Sequence, residues 1–482
     1  MAWVFFLAGC GSPASSDPPP WTYGAVAATL HPLVAQYTVA ASAPAQVSIE
    51  FGTDTSYGRS TWSQQVNAGG KASFFVAGMR PTTTYHMRAR FDFASGATMY
   101  DSDHIFTTKG LPNVTFPQVT VNQTSGSSVQ GVDVTSSTGP QATAAVFDHD
   151  GSLIWYYYDP AMPPLTFPLK FLANGDFIAQ YYQNLREVDL SGQVVREETI
   201  DQLNHDLKAA GYSIHAAEFH HDMLSLANGH WIVLVDLEKD FQDLPGYPGT
   251  TQVVGDALVD LDPNNRLVWV WNTFDHLDVN RHPYMFPDWT HSNALVYTPD
   301  GNLLLSMRHQ SWIIKINYAN GAGNGDILWR LGPEGDFSLA QNDAAQWFYN
   351  EHAPVIVQSQ GAKTTLAMFD NGNTRPDSSG QRCEQNNDCY SRGLLMDVDE
   401  SAMTASVSWQ YQPGWYSLWG GDIERLPNGD TEIDFTNPDG GPSRVVETDS
   451  SAMPQVLWQM NSSKAEFYRA YRIPSLYPGV QW

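Results

Sequence analysis

The chain has 482 residues, with 25 Lys and Arg against 51 Asp and Glu, a formal charge of −26. That length fits two to four average domains, or one large β architecture with a small partner. So acidic a surface argues against nucleic acid as a partner. Charged residues make up only 16% and aromatic residues 12%, alongside 38 Gly and 30 Pro, a mix unlike a helical bundle or a disordered polyanion. The composition is that of a turn-rich β protein.

Beyond the first ten residues no apolar run approaches the roughly 18 to 20 residues that a membrane-spanning helix needs. The opening MAWVFFLAGC ends in Leu7-Ala8-Gly9-Cys10, which resembles the lipobox of a bacterial lipoprotein signal with Cys10 as the lipidated residue. Residues 1–20 are expected to be signal and Ser/Pro-rich tether, and the protein an exported periplasmic or cell-surface lipoprotein touching membrane only through its anchor. With Cys10 lipidated, Cys383 and Cys389 in CEQNNDC remain as an even pair, expected to form a disulfide in an oxidising compartment. No His or further Cys lies near them in sequence, so no metal site is expected there.

Residues 21–110 alternate apolar and polar positions, as in Gln46-Val47-Ser48-Ile49-Glu50-Phe51 and Tyr85-His86-Met87-Arg88-Ala89-Arg90-Phe91, the pattern of half-buried strands. The stretch from Met79 to Phe106 resembles the last strands of a fibronectin type III-like sandwich, so a small β-sandwich is predicted here.

Over residues 111–482 the signal is repetition. An apolar pair followed by Trp recurs in Leu153-Ile154-Trp155, Leu267-Val268-Trp269, Ile327-Leu328-Trp329 and Val456-Leu457-Trp458, with Val407-Ser408-Trp409 and Val194-Val195-Arg196 as degenerate copies. Hairpin-turn motifs alternate with them: LANGDFI (172–178), LANGHWI (226–232), TPDGNLL (298–304), LPNGDTEI (426–433) and a weaker copy at Ser359 to Leu366. Six such units predict an all-β fold, a six-bladed β-propeller, because one four-stranded blade must stack on neighbours to bury its faces.

Three of the fourteen histidines share a place in this repeat. His221, His291 and His352 each precede a hairpin turn, where a propeller would bring them to its central channel. Arg308 follows on the strand after the His291 hairpin and is expected to point to the same axis. Imidazoles, a guanidinium and the Asn293 amide together suit a tetrahedral oxyanion, and no pair of catalytic carboxylates is evident.

The runs HHDMLSLANGH (220–230), DWTHSNALVYTPDGNLLLSMRHQSWIIKI (288–316), EHAPV with FDNGN, SRGLLMDVDE, GGDIERLPNGD and YRAYRIPSLYP (468–478) resemble the bacterial arylsulfate sulfotransferases. Their most specific piece is His291-x-Asn293 with Arg308 seventeen residues after the histidine. The resemblance implies an exported six-bladed propeller carrying an N-terminal β-sandwich and independent of the nucleotide sulfate donor. It makes His352 the transiently sulfated nucleophile. His291, Asn293 and Arg308 match sulfate-binding positions and His221 a further channel histidine. The adjacent His220 is carried along as a substrate-binding candidate. The expected partners are a small aryl sulfate donor and a phenolic acceptor; a homodimer is allowed but not specified, and sulfuryl transfer to histidine needs no cofactor or metal. Two other classes compete: a non-catalytic propeller binding anionic or aromatic ligands at the cell surface, and a metal-dependent hydrolase built on His220, His221, His291 and His352.

Overall fold

Period-two alternation shapes the first of two compact units. The computed structural model describes residues 21–124, 128–164, 167–340 and 343–482; Cys10 and the Ser/Pro-rich segment after it lie outside the described residues. The strand Trp21–Ala28, with Ala35–Val76 and Thr84–Thr107, forms one unit, and Thr108–Trp482, with Thr29–Val34 and Ala77–Thr83, forms the other. In the first, Ala45–Gly52 pairs antiparallel with Thr84–Asp92 so that Val47 faces Phe91, Ile49 faces Ala89 and Phe51 faces Met87. All six are buried, and a one-residue slip would turn the whole set outward. Trp21–Ala28, Ala35–Ala41 and Lys71–Val76 form a separate sheet.

Among the described residues the second unit has six sheets, antiparallel except where Ser338–Leu339 pairs parallel with Thr404–Tyr411. Four are led at one edge by Ala216–Ser225, Ser292–Tyr297, His352–Gln360 and Asp422–Arg425, and a fifth by Leu169–Phe171. The remaining sheet takes its edge strand from the far end of the chain, where Glu466–Ile473 pairs with Val132–Thr138. A second interlock joins Val119–Gln123 to Val456–Ser462. The hairpin motifs seen in the sequence join first to second strand in each of the other five sheets, and their glycines, such as Gly175 (φ 85°) and Gly429 (φ 91°), sit in the left-handed region those turns require. Leading strands pack side by side: Ala216–Ser225 on Ser292–Tyr297, that strand on His352–Gln360, and so on through Asp422–Arg425 to Glu466–Ile473.

The apolar-Trp repeat falls on the fourth strand of each sheet counted from its leading strand, and it ties neighbouring sheets together. Trp155 Nε1 donates to Leu190 O (2.9 Å), Trp269 Nε1 to Gly323 O (3.1 Å), Trp409 Nε1 to Ser451 O (3.2 Å) and Trp458 Nε1 to His149 O (3.1 Å). Each acceptor lies in or beside the last hairpin turn of the following sheet, and Trp458 returns to the first. Where the repeat has Arg196 instead, its guanidinium donates to Gly229 O and Asp262 O and covers the Trp231 ring at 3.6 Å. Trp329 alone of these leaves its Nε1 without a partner.

Two features differ from the sequence reading. A helix, Ile200–Ala209, follows the second sheet, capped by the Thr199 hydroxyl on Gln202 N and burying Ile200, Leu203 and Leu207. Arg308 does not lie on a strand: Leu303–Met307 ends one residue earlier, and Arg308 opens a 3₁₀ turn, Arg308–Gln310, closed by Ser311 at φ 51°. Among the described residues no helix is long and apolar enough to cross a membrane.

Trp155 separates packing from hydrogen bonding in this tie. Trp155→Phe removes only the indole N–H and should cost about 1 kcal/mol, whereas Trp155→Ala also empties the contact with Phe177, at 4.4 Å between ring centroids, and should cost about 3 to 5 kcal/mol. Denaturant midpoints of the two variants measure this; equal losses would contradict it.

Candidate active site

His352 opens its strand and is 2% exposed. Its Nδ1 lies 2.6 Å from Asn371 Oδ1. Asn371 Nδ2 donates to Ser417 O (2.9 Å) and Gly420 O (3.1 Å), which fixes the amide orientation and makes Oδ1 the acceptor. Nδ1 of His352 therefore carries the proton, and Nε2 presents its lone pair. Burial, then the positive charge of Arg308, holds this imidazole neutral well below the usual histidine range.

Arg308 is 5% exposed and makes no ion pair with a carboxylate among the described residues. Its Nη2 donates to Leu418 O (2.9 Å) and its Nη1 to His309 Nε2 (2.7 Å), while Nε has no partner. His309 Nδ1 lies 2.6 Å from Asp288 O, so the ring is a neutral acceptor for Arg308; burial brings its pKa down to about 3. Asn350 Nδ2 donates to Arg308 O (2.9 Å), tying the guanidinium's backbone to the segment that carries His352.

His291 stacks on His309 at 4.4 Å and donates Nδ1–H to Asp288 Oδ2 at 2.7 Å. His221 meets it edge-on at 4.6 Å, and the Tyr468 ring lies 5.8 Å from His221 and 6.3 Å from His352. Left-handed backbone recurs here: His221 (φ 54°), His291 (φ 46°), and Asn350 (φ 59°) and Ala353 (φ 50°) on either side of His352. Non-glycine residues held there cost about 1 to 3 kcal/mol each, and such strain concentrates at functional sites.

A family model of the arylsulfotransferases (ASST) matches residues 116–469. The chain belongs to the arylsulfotransferase family. Among curated proteins no sequence relative matches it. Solved structures similar to it include a protein of unknown function from Bacteroides caccae (10% identity, TM-score 0.43, 71% of this chain and 99% of that one). Others are a protein from Lactobacillus plantarum (10%, 0.38, 72% and 100%) and a streptogramin B lyase (11%, 0.32, 72% and 98%).

In this arylsulfotransferase, His221, His291, Arg308 and His352 lie around one site, and the two expected substrate-binding residues, Asn293 and His220, both touch neighbouring protein groups. Asn293 gives Nδ2 to Glu351 O at 2.6 Å and so positions the residue before His352. His220 turns its ring nitrogens toward protein groups. Its Nδ1 faces His221 Nδ1 at 2.8 Å, and its Nε2 lies 3.1 Å from Asp236 Oδ1 and 3.2 Å from Asp256 Oδ1. Burial disfavours charge on His220, but the Asp236 and Asp256 carboxylates outweigh it and raise its pKa to about 9. The four histidines of the hydrolase reading do not form a ligand group among the described residues. The groups that do are His220 with Asp236 and Asp256, and Asp288 with His291 and His309. In the second, both His309 nitrogens are already engaged.

Asn371, Asp288, His309 and Tyr468 were not singled out from sequence. Asn371 stands inside FDNGN, which reads locally as a hairpin turn. Cys383 and Cys389 are joined in a disulfide in the same loop, where Arg375 and Arg392 both bond Asp370 Oδ2 at 2.6 and 2.8 Å. Two open clefts, one of about 350 Å³ lined by Gln358, Lys363 and Asp397 and one of about 410 Å³ lined by Thr138, Gly440 and Lys464, include none of the clustered histidines.

Because His352 stays neutral on acidification, kcat/KM for an aryl sulfate should change little from pH 7 to about pH 5.5. An imidazole of ordinary pKa, about 6.5, would lose about eightfold over that range. An acid limb centred near pH 6.5 in the pH profile would contradict the assignment.

Proposed function

We propose that the protein is an arylsulfate sulfotransferase that moves a sulfuryl group from a phenolic sulfate ester to a phenol through a sulfohistidine on His352, without a nucleotide sulfate donor. The observation that carries this reading is Arg308, a buried guanidinium with no carboxylate partner in the same site as a neutral imidazole. A buried cation left unpaired is costly, and a bound sulfate ester supplies the missing anion.

In the first half-reaction His352 Nε2 attacks sulfur while the bond from sulfur to the phenolic oxygen breaks. Charge spread over the other sulfuryl oxygens is taken up by Arg308 and His291, so catalysis falls to positioning and electrostatics. The departing phenolate takes a proton from His221. An acceptor phenol then enters, gives up its proton and attacks the sulfur of sulfohistidine, restoring His352, which makes the kinetics ping-pong. Tyr468, stacked on Trp419 with 6.5 Å between centroids, and Phe167, 4.9 Å from His221, offer aromatic walls for the two rings.

The same reading takes the six sheets, tied in a cycle by Trp and Arg, as the blades of one propeller over 111–482. The first unit is then a fibronectin type III-like sandwich over 21–110. Export as a lipoprotein anchored at Cys10 is supported by the Cys383–Cys389 disulfide, which suits an oxidising compartment.

In a two-substrate assay with nitrophenyl sulfate and a phenol, His352→Ala should abolish transfer with the fold retained. Arg308→Lys should lower kcat/KM at least about tenfold, roughly 1.4 kcal/mol, because a point charge cannot replace a planar fork on two sulfate oxygens. Wild-type turnover in the first variant, or unchanged kcat/KM in the second, would refute the assignment concerned.

A further inference from the structure

We infer that His220 and His221 form a two-imidazole proton relay that gives a proton to the departing phenol and takes one back from the acceptor phenol. The inference rests on the sulfohistidine reading above. Adjacent residues of a regular strand point to opposite faces, yet these two rings meet at 2.8 Å between Nδ1 atoms. The register of Ala216–Ser225 breaks between Phe219 and Met223, and His221 takes φ 54° there. The chain thus spends backbone strain to bring the rings together.

Two nitrogens at that distance share one proton, and the surroundings decide which ring supplies it. His220 faces Asp236 on Trp231–Leu244 and Asp256 on Tyr247–Leu261; Glu218 on its own strand and Asp288 before Ser292–Tyr297 add further negative charge. His221 faces His291, His352 and Arg469, which repel a proton. His220 is therefore the imidazolium and donates Nδ1–H. His221 accepts on Nδ1 and holds its own proton on Nε2. Burial and these neighbours keep His221 neutral well below the usual range, while His220 stays charged up to about pH 9.

In the donor half-reaction the phenolate oxygen takes the Nε2 proton of His221 as His221 Nδ1 takes the Nδ1 proton of His220. Both rings end neutral, with His220 Nε2–H still on its carboxylates. In the acceptor half, the phenol O–H passes its proton to His221 Nε2 and the Nδ1 proton returns to His220. No proton is gained or lost over the cycle. His220 touches no substrate and acts through His221, so it is a positioning and proton-storing residue.

The test compares wild type, His220→Gln and Asp236→Asn on nitrophenyl sulfate, whose phenolate leaves readily, and phenyl sulfate, whose phenolate needs a proton. His220→Gln should lose at least about thirtyfold more on phenyl than on nitrophenyl sulfate, within the range general acid catalysis contributes. Wild type on phenyl sulfate should lose activity as the pH rises through about 9, and Asp236→Asn should move that alkaline limb down by about one unit, since one carboxylate supporting the imidazolium is gone. Equal losses on both esters, or an alkaline limb unmoved in Asp236→Asn, would overturn the relay alone. A wild-type enzyme that carries no sulfuryl group on His352 after donor treatment would overturn the reading beneath it.

Discussion

Arg308 is a buried guanidinium whose neighbours are arranged to hold it without neutralising it. Its partners are a main-chain carbonyl, Leu418 O, and a neutral imidazole, His309 Nε2, and Asn350 anchors its backbone. A carboxylate in place of either would form an internal ion pair and abolish the affinity for an outside anion. Much of the site follows from this choice. His309 must be neutral to accept from Arg308, so its other nitrogen donates to a carbonyl rather than to a carboxylate. Burial, and after it the positive charge of Arg308, keeps His352 unprotonated, which leaves a lone pair on the nitrogen that Asn371 does not hold.

Charge in this protein is thus separated by layer. Neutral and cationic groups face the reacting position, while the carboxylates stand one residue behind: Asp288 behind His291, Asp236 and Asp256 behind His220. A chain with 51 acidic residues against 25 basic ones repels anions in general, and on the proposed function the arrangement confines attraction for the sulfate ester to the site. Left-handed backbone at His221, within the register break of Ala216–Ser225, and at His291 and Ala353, at the starts of the next two leading strands, aims the side chains, and the Trp and Arg ties between sheets supply rigidity to hold that strain.

The repeat was legible because hairpin turns and apolar-Trp strands are local patterns. The turns fall between first and second strands in five sheets, and Trp or Arg196 falls on the fourth strand counted from the leading one. The likeness carried by His291, Asn293, Arg308 and His352 was legible for the same reason, since those residues lie in short runs of the sequence. What escaped depends on distance through space. Nothing local to Glu466–Ile473 says that it pairs with Val132–Thr138, and Asn371 looks like a turn residue until it is seen against His352. The His220–His221 register was open because strand alternation allows one of the two to face inward, whereas the register break brings both rings together. The helix Ile200–Ala209 did carry a signal in the spacing of Ile200, Leu203 and Leu207, overshadowed by its β surroundings.

The central claim is that an anion held at Arg308 gives up its sulfuryl group to His352. Mass spectrometry of peptides from enzyme treated with an aryl sulfate and no acceptor, and kept from acid, measures this directly. The account predicts one added sulfuryl group on the His352 peptide, discharged when a phenol is supplied. A sulfuryl group on another residue, or release of the phenol with His352 never modified, would contradict it.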